Sequence, residues 1–121
     1  MYELKFINTQ ELPLLRCIAD GTKKAEGRIA TDYVRSFKVG ETLLLKATEE
    51  YAICKMLFLH FYDSFENMLE SEGFKNLIPL AKNADKALEV YNSFPGSQRV
   101  KSMGCCAIGI QYLEGKTLSP K

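Results

Sequence analysis

The chain has 121 residues, 46% of them hydrophobic and 26% charged, with a formal net charge of +1. That is the size and balance of one globular domain able to bury its own core, and it excludes a polycationic nucleic-acid binder, so any nucleic-acid contact is expected from a local patch. No apolar run approaches the roughly 20 residues of a membrane span, and the opening residues Met1-Tyr2-Glu3-Leu4-Lys5 lack a signal peptide's apolar core.

A cytosolic location is therefore expected, or a nuclear one in a eukaryote, with no membrane partner. Cys17, Cys54, Cys105 and Cys106 show no C-x-x-C spacing and have one histidine, His60, for company. They read as four reduced thiols used as small apolar residues, with no metal and no cofactor implied.

In chain order, residues 2–7 (YELKFI) alternate as a first strand, with Leu4 and Phe6 on one face and Lys5 on the other, toward a cleft or solvent. Asn8 or Thr9 can cap a helix that begins around Gln10, with Pro13 near its first turn. Leu12, Leu15, Ile18 and Ala19 give its apolar stripe, and Gly21 stops it. Residues 21–28, GTKKAEGR, then pack a turn glycine, two lysines, a glutamate and an arginine together. Read as a strand, they put Lys24, Glu26 and Arg28 on one face, because side chains alternate with period two. Lys23 adjoins the Gly21-Thr22 turn, where that parity need not hold, and can join them. The run is then either a solvated face or a cationic pocket around one carboxylate.

Residues 31–37 read as a polar connection holding Tyr33 and Phe37, residues 38–41 (KVGE) as a turn, and residues 42–47 as a strand. A second turn leads into residues 51–61, apolar at nearly every position, which fits a strand covered on both faces. His60, inside that run, reads as a core histidine. Ser64 caps a helix over residues 65–72 that Gly73 ends, residues 74–80 form an apolar link broken by Pro79, and Asn83 or Asp85 opens a helix through Tyr91. After a loop at residues 92–96, residues 104–113 form the closing strand. The domain thus spans residues 1–113, and residues 114–121 are expected to be a flexible tail. This order implies an α+β fold, a small mixed β-barrel flanked by three or so helices, with an open α+β sandwich as the alternative.

Several of these features together resemble the ASCH domain (activating signal cointegrator 1 homology) of the PUA-like superfamily. They are the ELKF strand, the helix after it, the G-x-K-x-x-E-x-R pattern at Gly21, Lys23, Glu26 and Arg28, the K-V-G-E turn, the SFENML helix start at Ser64 and the Gly104-led last strand. The resemblance covers nearly the whole chain. It implies a barrel of PUA-like type with a cleft lined by Lys23, Glu26 and Arg28, a turn shaped by Gly21, and binding of single-stranded RNA, a nucleotide or a nucleoside, in RNA metabolism or coregulation. Some ASCH-like proteins are small amidohydrolases acting on acetylated cytidine nucleosides, using a lysine, a threonine two residues before the arginine, and a later helical glutamate. Lys23 matches that lysine and Glu72 that glutamate, while Glu26 stands at the threonine position.

Two functions follow as expectations. In a binding module, Arg28 offers a planar fork to a phosphate or base edge, Lys23 a point charge, and Glu26 an acceptor for an amine or sugar hydroxyl; Tyr91, Tyr33 or Phe37 would stack a base. In a small hydrolase acting on an N4-acylcytidine-type substrate or on RNA, Lys23, Glu26 and Glu72 would be catalytic, a carboxylate activating water and Lys23 stabilising the oxyanion. A structural ion-pair network is the third expectation for the cluster.

Overall fold

Two long antiparallel strands, β4 (Tyr51–Tyr62) and β5 (Cys105–Lys116), form the centre of a five-stranded sheet in a computed structural model that describes residues 1–118. Around them lie β3 (Thr42–Lys46) and β2 (Ala25–Ile29), with β1 (Tyr2–Lys5) outermost beside β3. The strand order is β1-β3-β4-β5-β2; β1 runs parallel to β3 and every other pairing is antiparallel. β1 and β2 are therefore the two sheet edges. They nevertheless touch: the Arg28 Nη2 on β2 donates to the Lys5 carbonyl on β1 at 2.6 Å.

Edge-to-edge contact requires the sheet to curl into a half-barrel. Two irregularities in the β4–β5 register, at Ile53/Cys54 and Met56/Phe58, supply local bend and twist. Opposite the second, Gly109 is a close approach: a Cβ there would lie 2.2 Å from the Phe58 ring. No backbone ladder joins β1 to β2 among the described residues, so a seam remains between them.

Helices cover both faces. α1 (Leu14–Ala19) buries Leu14, Leu15 and Ile18 inside the curl, and α2 (Asp32–Arg35) adds Val34. α3 (Phe65–Glu72), α4 (Phe74–Leu77) and α5 (Ala84–Ser93) pack on the other side through Phe65, Met68, Leu77, Ala87 and Tyr91. A 3-10 turn at Ser97–Arg99 and α6 (Val100–Met103) lead into β5. Six α-helices are thus present among the described residues, where the sequence implies three or so.

The extra ones are single turns. Thr31 caps α2 by accepting from Val34 N at 3.3 Å, a local signal inside what reads as a polar connection. α1 starts at Leu14 and not near Gln10, because residues 9–12 close a turn of their own, with Leu12 N bonded to Thr9 Oγ1 at 2.9 Å. The N-cap position is Pro13 and not Asn8 or Thr9, although the Asn8 side chain reaches the first turn from upstream, accepting from Leu15 N at 2.9 Å.

Ser64 and Asn83 cap α3 and α5 as expected. β5 continues to Lys116, opposite Tyr51, so residues 114–116 belong to the sheet and not to a tail. Leu118 is tied down too, its N donating to Glu50 Oε1 at 2.7 Å and its carbonyl accepting from Arg16 at 2.8 Å. The last three residues of the expected tail, 119–121, lie outside the described residues. No described helix is long and apolar enough to cross a membrane. The four cysteines are buried and unpaired, and burial pushes the thiols of Cys54, Cys105 and Cys106 up to about 12, so they pack as neutral groups.

Candidate functional site

The seam opens into a cavity of about 590 Å³. Residues 4–7 wall it on the β1 side and residues 26–29 on the β2 side, with Val34, Phe65, Tyr91, Phe94, Pro95 and Arg99 closing it from the helices and the loop after α5. Both strand edges facing it are partly occupied. In β2, Lys24 O accepts from Ile110 N and Ala30 N donates to Gly104 O, so even-numbered residues turn their backbone toward β5. Residues 25, 27 and 29 therefore face the seam. The Ala25 carbonyl accepts from Lys23 Nζ and the Ile29 carbonyl from Thr31 N, which leaves the Gly27 carbonyl as the free one. In β1, the Tyr33 hydroxyl bonds both Glu3 N (3.0 Å) and Glu3 O (3.1 Å), and Arg28 takes the Lys5 carbonyl. Side chains thus block another strand from adding at either edge.

The charged cluster is built on the turn before β2. Gly21 adopts φ 84, a conformation that favours glycine, and the reversal carries Lys23 beneath α1, where its N–H bonds the Cys17 carbonyl at 2.9 Å. Lys23 is 2% exposed. Its Nζ donates to Ala25 O at 2.7 Å and Leu77 O at 2.5 Å, and pairs with Glu26 Oε1 at 3.1 Å. Three acceptors match the three N–H bonds of an ammonium group, so Lys23 is held charged even though burial draws its pKa below 10.5 against the pull of Glu26.

Glu26 carries the bridge onward. Its Oε2 receives both Nε and Nη2 of Arg28 at 2.8 Å. Burial pushes the Glu26 carboxyl up, but the Lys23 ammonium and the Arg28 guanidinium outweigh it and hold the group below 4.5. Two cations around one anion leave a net charge of +1. Only Arg28 of the three is substantially open, its side chain 25% exposed, and its Nη1 has no partner among the described residues.

The sequence-derived site residues are thus divided by the fold. Lys23, Glu26 and Arg28 converge. Gly21 shapes the turn without lining the cavity, and Lys5 lines it while contributing its carbonyl, its side chain exposed. Lys24 departs from the expected shared face: it is exposed, its N–H bonded to Asn76 O at 2.8 Å, because the strand begins only at Ala25.

Glu72 does not reach the cavity. Its carboxylate accepts from the Tyr62 hydroxyl and lies 2.8 Å from His60 Nδ1. His60, read as a core histidine, is half-exposed and stacked on Phe58 at 4.2 Å. Lys23 and Glu72 are therefore not assembled as a catalytic pair.

The aromatic residues expected to stack a base are committed elsewhere. Tyr91 stacks on Phe65 at 5.1 Å, and Tyr33 and Phe37 pack against each other and Tyr2. Phe94, Pro95 and Arg99, which sequence reasoning did not single out, wall the cavity instead; the Pro95-Gly96 turn with an arginine three residues later was the available signal.

Gly27 sits where the cavity floor meets α3 and α5. A Cβ there would lie 2.6 Å from Tyr91 Oη and 2.7 Å from Met68 Cε. Gly27→Ala is expected to cost about 1–3 kcal/mol by overpacking. Urea unfolding checks this; an unchanged midpoint would mean the helices yield freely.

No family model matches the sequence, and no curated protein does. Solved structures share the fold, two of them as follows. The crystal structure of hypothetical protein PH0355 aligns with a TM-score of 0.79 at 28% identity, covering 93% of this chain and 100% of that one. The solution NMR structure of protein PF0455 from Pyrococcus furiosus aligns with a TM-score of 0.72 at 29% identity, covering 93% of this chain and 98% of that one.

Proposed function

We propose that the protein is a binding module of ASCH-like, PUA-like type that holds a nucleoside or nucleotide unit, free or at an exposed position of single-stranded RNA, in the seam between β1 and β2. The observation that carries this reading is a buried Lys23–Glu26–Arg28 relay of net charge +1 whose most exposed member, Arg28, faces a largely apolar cavity. A volume of about 590 Å³ falls in the range of small-molecule sites. Ile29, Phe94 and Pro95 offer apolar surface to a ring, and Arg28 Nη1 offers donors to its polar edge. Lys23 spends all three N–H bonds inside the protein, so its role is to fix Glu26, which in turn orients Arg28.

Binding is favoured over hydrolysis by the same geometry. Lys23 has neither a free N–H nor a lone pair for a substrate, Glu72 is held by His60 and Tyr62, and a carboxylate kept below its ordinary range is a poor proton shuttle near neutrality. Calorimetric titration with the four ribonucleosides, their monophosphates and short single-stranded RNA tests the reading. Saturable one-to-one binding with a salt dependence of only a few charges is expected. Absence of heat with every probe would contradict it.

A further inference from the structure

We propose that the rim of the cavity is a receptor for a terminal phosphate monoester, held by the Arg99 guanidinium with support from Lys5, while the rest of the ligand occupies the apolar interior. The inference rests on the nucleoside- or nucleotide-binding reading of the seam and adds the form of the ligand: a mononucleotide or a phosphorylated RNA end.

The cavity is graded from inside to outside. Phe6, Leu14, Val34 and Phe65 are buried in its walls, whereas Lys5 and Arg99 line it and are exposed. With Arg28, the described lining holds three cations against one carboxylate, Glu26, whose two oxygens are already engaged by Lys23 and Arg28. That is a net charge of +2 around one cavity, in a chain whose total is +1. The other polar groups there do not oppose it. Ser97 Oγ donates to Asn92 O at 3.0 Å, Thr31 Oγ1 accepts from Val34 N, and the Tyr91 hydroxyl is packed against Gly27 and Met68.

Arg99 is not a loose surface arginine. Gly96, at φ 81, turns the chain after Pro95, and its carbonyl accepts from both the backbone N and the Nε of Arg99 at 3.1 Å. The guanidinium folds back onto that turn: a Cβ on Gly96 would lie 2.9 Å from Nε and 3.0 Å from Nη2. Anchored through Nε, the group keeps Nη1 and Nη2 without a hydrogen-bond partner or a carboxylate among the described residues. A fork held in this way loses little freedom on meeting an oxyanion. A phosphate monoester, with a charge of about −2 and three acceptor oxygens, matches the rim in charge and in acceptors. A phosphodiester carries one charge fewer and satisfies less of it. The dianion also stays at least partly hydrated there, because Lys5 and Arg99 are exposed.

Calorimetric titration of wild type, Arg99→Ala and Lys101→Ala with the four ribonucleosides, their monophosphates and the methyl esters of those monophosphates tests this. For the base that binds best, wild type is expected to hold the monophosphate at least about tenfold more tightly than the nucleoside and about fivefold more tightly than the methyl ester. Arg99→Ala should lose about tenfold on the monophosphate and little on the nucleoside. Lys101→Ala removes the same charge from an exposed position outside the cavity and should change neither affinity. A trinucleotide with and without a terminal phosphate separates the two sources. A phosphate-dependent gain assigns the RNA end, and no gain beside tight monophosphate binding assigns the free nucleotide. Equal binding of nucleoside and monophosphate to wild type, or equal losses in Arg99→Ala and Lys101→Ala, would overturn the phosphate receptor and leave the seam standing as a nucleoside site. Equal losses on nucleoside and monophosphate in Arg99→Ala would also overturn it, by making the arginine structural. Binding of none of these probes to wild type would overturn the site and the receptor together.

Discussion

Glu26→Gln is expected to destabilise the protein by about 3–5 kcal/mol, because it leaves the Lys23 ammonium buried without its counter-charge. In a domain of this size that corresponds to a fall of roughly 10 °C or more in melting temperature. The amide can accept from Lys23 or from Arg28 with its single oxygen, but its NH2 then faces the other cation. The effect should depend on pH with a definite sign. The folded protein holds the Glu26 carboxyl below 4.5, so in mild acid the unfolded chain binds the extra proton. The stabilisation is full above that value and is lost as pH falls through the folded pKa, so the gap between wild type and Glu26→Gln narrows in acid. Lys23, drawn below 10.5, contributes oppositely: its unfavourable share relaxes as pH rises toward 10.5. Thermal unfolding from pH 3 to pH 9 checks both slopes. A gap that stayed constant would mean Glu26 is not ionised in the folded state.

Arg28→Ala should abolish most ligand binding, by roughly 30-fold or more, the scale of removing one member of a desolvated, hydrogen-bonded charge pair. It removes the only open donors of the triad and frees Glu26 Oε2, turning the cluster from a net charge of +1 to neutral. It also unclasps the two sheet edges, since Arg28 is what joins β2 to the Lys5 carbonyl. A modest stability loss of about 1.5–3 kcal/mol accompanies it. Arg28→Lys separates the two roles: it keeps the charge but not the fork, and should recover stability in part and binding hardly at all. Equal recovery of both would mean the site needs only a positive charge. The measurements are unfolding curves and calorimetry on the three proteins.

The strands and capped helices were legible because their signals are local. Ser64 and Asn83 cap where they stand, Gly40 and Gly73 turn with positive φ, and the alternation in the last strand continues into the sheet. The charged stretch was legible as a cluster but not as a geometry. Lys23 is inside and Lys24 outside because a glycine turn, and not strand parity, sets their direction.

What the sequence hid is long-range. Glu72 looks free in a helix, and nothing nearby says that His60 and Tyr62 of another element will hold it. The clasp from Arg28 to Lys5 joins the two ends of the strand order, and the Tyr91 ring is placed by Gly27 and Phe65, residues distant from it in sequence. The short turns at residues 32–35 and 100–103 carry too few residues for a periodic signal.

The claim that the β1–β2 seam is the binding site is tested most directly by amide shift mapping of the isotope-labelled protein on titration with uridine. The largest shifts are expected at residues 26–29, residues 5–7 and the loop from Phe94 to Arg99, with saturation at one ligand per chain. Shifts centred on His60, Tyr62 and Glu72, with the seam unmoved, would contradict it.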